Sequence, residues 1–134
     1  MIIGTGVDIV EIKRISKVLD RKGDRFIKRL LTSAEQEHWQ QRGARVETLA
    51  GYWAAKEAVA KALGTGFASF RFTDVVVTHN TVGRPLIELK GSADALASQL
   101  GITNMWLSIS HCRAYAVATA TAEGRTSQNT ARIY

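Results

Sequence analysis

The chain has 134 residues, 18 Lys and Arg against 12 Asp and Glu, a formal charge of +6 and 46% apolar residues. That composition fits one packed domain and excludes intrinsic disorder. Cys112 is the only cysteine, which excludes an intrachain disulfide and a multi-cysteine zinc cage and predicts a reducing, cytoplasmic setting. No apolar run approaches the ~20 residues of a membrane span. The first ten residues carry no basic lead-in to their apolar stretch, so they read as a strand rather than a signal peptide.

Residues 2–10 alternate Ile3, Thr5, Val7 and Ile9 against Gly4, Gly6, Asp8 and Val10. This predicts a strand with one bare face, where another backbone or a ligand can come close. Gly4-Thr5-Gly6-Val7-Asp8 superficially resembles a dinucleotide fingerprint, but Ile9 stands where the third glycine belongs. Asp8 reads either as a turn or capping carboxylate or as a metal ligand.

Residues 11–30 hold eight basic and three acidic side chains, a local net of +5. Ile12, Ile15, Val18 and Leu19, then Phe26, Ile27 and Leu30, recur at helical spacing around a break at Gly23-Asp24, which predicts two short helices. If the helical phase carries across the break, Arg14, Lys17, Arg21, Arg25 and Lys28 form one basic stripe. Such a stripe is either a solvated face or a surface for an acidic partner.

Thr32-Ser33-Ala34-Glu35 has the capping-box pattern and opens a helix through about Gln41. Residues 48–63, rich in Ala and Leu, form the strongest helix, with Gly64 at its C-terminal cap. Trp53, Glu57 and Lys61 share one face of it. By spacing alone the Glu57–Lys61 pair reads first as a surface ion pair.

After the loop Gly64-Thr65-Gly66, strands are predicted at 70–78 and 85–89, a helix at 91–100, and strands at 105–110 and 114–121. The last strand carries small alanines, and residues 125–134 read as a loose tail. Ser110 and His111 are strand neighbours facing opposite sides, so they are not a nucleophile and its base. His111 either contacts a phosphate or satisfies a core hydrogen bond. The expected architecture is a single α+β domain, residues 1–124, with a mostly antiparallel sheet, a long central helix and N-terminal helices.

Four segments together resemble the holo-acyl-carrier-protein synthases, small 4′-phosphopantetheinyl transferases. They are GVDIVEIKRI from Gly6, WAAKEAVAKALGTG from Trp53, NTVGRP from Asn80 and SISHCRAYAVA from Ser108. The resemblance implies Mg²⁺-dependent transfer of phosphopantetheine from coenzyme A to a serine of an acidic apo acyl carrier protein, in support of fatty acid biosynthesis. It implies Asp8 and Glu57 as metal ligands, Glu57 and Lys61 as the catalytic pair, and Lys61, Gly64, Thr65, Gly66 and His111 near the coenzyme A phosphates and nucleotide. Lys56 is left as a second phosphate contact or an ion-pair partner, and the serine proton goes to Lys61, Glu57 or a metal-bound water. Arg14, Lys17, Arg21 and Arg25 become the carrier-docking face. A homotrimer with sites between subunits is also implied, and the glycine-faced first strand and small last strand are compatible with such packing. One departure is Tyr52-Trp53, where many members carry Arg-Phe.

The rival reading is a small basic nucleic-acid-binding protein. Against it, residues 31–70, which carry Glu57 and Lys61, are electrically neutral as a whole and no nucleic-acid-binding motif occurs. Neither a nucleic acid nor a membrane is expected as partner.

Overall fold

The computed structural model describes residues 1–125; residues 126–134, which hold nearly all of the expected tail, lie outside the described residues. The order is β1 (Ile2–Glu11), α1 (Ile12–Lys22), α2 (Asp24–Leu30), α3 (Ser33–Gln41), α4 (Val46–Leu63), β2 (Val75–His79), β3 (Pro85–Leu89), α5 (Gly91–Gln99), β4 (Ile102–His111) and β5 (Tyr115–Gly124). All strand pairing is antiparallel, in a three-stranded sheet β1-β5-β4 and a two-stranded sheet β2-β3. This is the expected α+β architecture.

Helix α4 lies on the larger sheet, and the small side chains of both set how close it comes. Ala54, Ala55, Ala58 and Ala62 of α4 are buried with Ala116, Ala118, Ala120 and Ala122 of β5. A methyl group at Gly4 would overlap the carbonyl oxygen of Ala62, and one at Gly6 that of Ala58. The bare face of β1 therefore admits a helix of its own chain, not a ligand or a neighbouring subunit. The opposite face of the sheet is uncovered, with Val7, Ile9, Trp106 and Tyr115 exposed.

Local signals hold at several helix ends. The Thr32–Glu35 capping box forms, with each side chain bonded to the other's backbone N–H, and Gly64 caps α4 in the left-handed conformation at φ 86°. The strand expected over 70–78 begins only at Val75. Phe72–Asp74 is instead a 3₁₀ turn in which Asp74 Oδ2 accepts from the Arg71 N–H at 3.0 Å, and Phe67 packs against both Phe70 and Phe72.

Candidate functional site

Asp8 faces α4 from β1, opposite Ala118 of β5. Lys61, at the last turn of α4, donates from Nζ to the Val7 carbonyl at 2.8 Å and to Asp8 Oδ1 at 3.3 Å. Asp8 Oδ2 is buried and has no hydrogen-bond partner among the described residues. Burial raises the Asp8 carboxyl above its ordinary range, against the pull of Lys61 and Arg14. Glu57 is raised as well, first by burial and then by the negative charge of Asp8.

Two carboxylates that oppose each other's ionisation, one with an orphaned oxygen, fit a hard divalent cation. No cluster of three or more His, Cys, Asp or Glu suited to a metal occurs among the described residues. A cation held here would have Asp8 and Glu57 as its carboxylate ligands and would take its other positions from water and substrate oxygens, the pattern that magnesium favours.

Lys56 does not join this group. It is fully buried, and Nζ donates to Glu35 Oε1 at 2.7 Å, to the Leu30 carbonyl at 2.6 Å and to the Phe72 carbonyl at 3.1 Å. Glu35 in turn accepts from the backbone N–H groups of Thr32 and Val77. Burial pulls the Lys56 ammonium down and the Glu35 carboxylate holds it up. With every donor committed, Lys56 is an ion-pair partner and reaches no phosphate.

The loop after α4 also departs from expectation in part. The Gly64 N–H is used by the carbonyls of Ala60 and Lys61, so it donates to no ligand. The Thr65 hydroxyl donates to the Gly66 carbonyl at 3.2 Å. His111 lies elsewhere. It lines an open cavity of about 220 Å³ with His38, Arg42, Tyr52 and His79, which includes none of Asp8, Glu57, Lys61 or the 64–66 loop. Gly51 and Tyr52, which line the same cavity, stand six and five positions before Glu57, roughly 8–9 Å along α4 at 1.5 Å per residue, and Gly51 stands 13 positions, roughly 20 Å, before Gly64.

Arg14, Lys17, Arg21, Arg25 and Lys28 are all exposed. Gly23, at φ 54° and ψ −129°, breaks the helical phase, so Arg25 and Lys28 begin a new helix instead of extending the stripe. A cleft of about 190 Å³ opens where α1 and α2 meet α4; its apolar floor is Val18, Phe26, Trp53 and Phe72, and its basic flank Arg21, Lys22 and Arg29. Nothing in the residue pattern marks this cleft, because Phe72 reaches it only through the turn that interrupts the expected strand. Trp53, Glu57 and Lys61 follow at successive turns, about 6 Å apart along one helix face, and join the cleft to the carboxylate pair.

The model of the 4′-phosphopantetheinyl transferase superfamily matches residues 4–120. A holo-[acyl-carrier-protein] synthase of Hydrogenovibrio crunogenus is 48% identical over 126 residues, 93% of this chain and 99% of that one. The crystal structure of the synthase from Neisseria meningitidis superposes with a TM-score of 0.86 at 35% identity, covering 92% of this chain and 99% of that chain. The Helicobacter pylori synthase in complex with coenzyme A superposes at 0.79 with 30% identity, covering 89% and 99%. A family model spanning nearly all of the described fold, together with such relatives, places this chain in the 4′-phosphopantetheinyl transferase superfamily.

Proposed function

We propose that this chain transfers the 4′-phosphopantetheine arm of coenzyme A to a serine of an apo acyl carrier protein, releasing adenosine 3′,5′-bisphosphate, with magnesium held by Asp8 and Glu57. The observation that carries the metal assignment is Asp8 Oδ2, a buried carboxylate oxygen with no hydrogen-bond partner among the described residues. A magnesium ion there would neutralise the diphosphate whose P–O–P bond is broken. Lys61 fixes Asp8 through Oδ1 and keeps a half-exposed ammonium for the charge that develops on the leaving phosphate. The serine oxygen gives its proton to Glu57, Lys61 or a water and forms the new bond to phosphorus as the bond to the leaving adenosine 3′,5′-bisphosphate breaks, and alignment of the two reactants supplies much of the rate.

The acidic carrier docks on α1 and α2, where the exposed cations steer it and the Trp53–Phe26–Phe72 floor receives its apolar side chains. A serine delivered across Trp53 arrives one turn from Glu57. The nucleotide end of coenzyme A occupies the His111 cavity, and a homotrimer sets the cavity of one subunit against the carboxylate pair of the next. Two observations support that assembly: the His111 cavity is lined by none of Asp8, Glu57 and Lys61 of its own chain, and the apolar sheet face is uncovered, with Ile9 64% and Val7 55% exposed. The reaction serves fatty acid biosynthesis in the cytoplasm, where the free, exposed Cys112 stays reduced.

Mixing the protein with apo carrier, coenzyme A and Mg²⁺ should add the mass of the phosphopantetheine arm to the carrier. No mass shift, with a known synthase working in parallel, refutes the proposal. Asp8→Asn and Glu57→Gln should each abolish transfer at low Mg²⁺ while circular dichroism stays unchanged.

A further inference from the structure

The His111 cavity has a chemistry of its own. The imidazoles of His38 on α3 and His79 on β2 stack with centroids 4.4 Å apart and planes at 14°. Arg42 stands on the same wall. Two cationic imidazoles at that separation repel, and His79 is held below its ordinary range by burial, then by His38 and Arg42. The remaining ionisable groups are His111 on β4 and, on α4, Tyr52 and Glu47. Glu47 is paired with Arg45 at 3.5 Å, so no unpaired acid lines the wall. The Tyr52 hydroxyl is buried without a hydrogen-bond partner among the described residues, and burial followed by the Glu35 charge keeps it protonated as a donor. A buried hydroxyl in that state is a place where a ligand acceptor gains a hydrogen bond at no cost to the protein.

We propose that, when the coenzyme A phosphate that takes no part in bond breaking enters this cavity, it draws a proton onto the stacked His38–His79 pair. The inference rests on the reading that the nucleotide end lies in this cavity. With the diphosphate at Asp8 and Glu57, the phosphate left over is the 3′-monoester. Its second ionisation lies near pH ~6, so it enters as a dianion at neutral pH. A dianion beside the pair offsets the repulsion between the rings and favours their protonated state.

Because binding takes up a proton, affinity rises as pH falls, by at most about tenfold per pH unit for one proton. The gain levels off below about pH 6, where the monoester itself becomes protonated. The 3′-dephospho form of coenzyme A, which lacks only that phosphate, should show no such rise.

The test is calorimetric titration of coenzyme A and of 3′-dephospho-coenzyme A, without carrier, in buffers of different ionisation enthalpy between about pH 6 and 8. Coenzyme A should bind with proton uptake and several-fold more tightly at the lower pH, the dephospho form should do neither, and His79→Asn should remove the uptake. If coenzyme A is preferred over its dephospho form and weakened by Arg42→Ala, yet binds without proton uptake, the proton linkage is wrong and the nucleotide reading survives. If Arg42→Ala and His79→Asn both leave coenzyme A binding unchanged, the nucleotide does not occupy this cavity and both readings fall.

Discussion

Replacing Lys56 by Met tests the buried pair most directly. Lys56 and Glu35 have side chains 0% and 1% exposed, and Nζ spends all three of its donors inside the protein. Met fills similar space but leaves the Glu35 carboxylate unpaired and the Leu30 and Phe72 carbonyls without this donor. Breaking one side of such a pair costs about 3–5 kcal/mol, against a total stability of ~5–15 kcal/mol for a domain. With an unfolding entropy of ~2.1 cal/mol/K per residue, that is a fall in Tm of about 11–18 °C for a chain this size. Urea unfolding of the single variants and of Lys56→Met/Glu35→Gln should show the double costing less than the sum, by ~0.5–3 kcal/mol. A Lys56→Met protein within about 1 kcal/mol of wild type, with a raised KM for coenzyme A, would return Lys56 to the phosphates and refute the structural role.

Further outcomes are expected at other points of the fold. Gly6→Ala drives a methyl group into the Ala58 carbonyl and should destabilise by about 1–3 kcal/mol in thermal unfolding. Arg21→Glu should raise the carrier KM several-fold at low salt, leave the coenzyme A KM unchanged, and lose much of its effect as ionic strength rises. On the proposed assembly, Ile9→Glu on the uncovered sheet face should leave the monomer folded but shift the mass measured by light scattering from trimer to monomer, and transfer activity should fall with it.

The sequence made legible whatever depends on neighbours along the chain. The capping box at Thr32–Glu35, the left-handed Gly64, the break at Gly23 and the face shared by Trp53, Glu57 and Lys61 follow from spacing that a helix imposes. Phe70–Asp74 failed because aromatic residues at alternate positions mimic a strand, while Asp74 closes a turn that only the packing of three phenylalanine rings reveals. Gly4 and Gly6 announced a close approach but not what approaches, since Ala58 and Ala62 lie more than fifty residues away in the chain. Lys56 sits in the same motif as Glu57, and one step round the helix takes it from the site into the core. His38, Tyr52 and His79 share no local pattern at all; the β2–β3 hairpin folding against α3 is what assembles them.

Helix α4 has a further consequence for the choice of substrate. On the proposed reading, the place where the carrier rests and the place where the bond breaks lie on one continuous helical face, from Trp53 to Lys61, with no loop or hinge between them. That face acts as a ruler. A foreign carrier whose serine stands a helical turn out of register with its own docking residues can still occupy the basic cleft, and its serine then stops short of the diphosphate. Discrimination among carriers of similar charge is therefore expected in kcat and not in KM, and an acidic non-substrate of the wrong length acts as a competitive inhibitor.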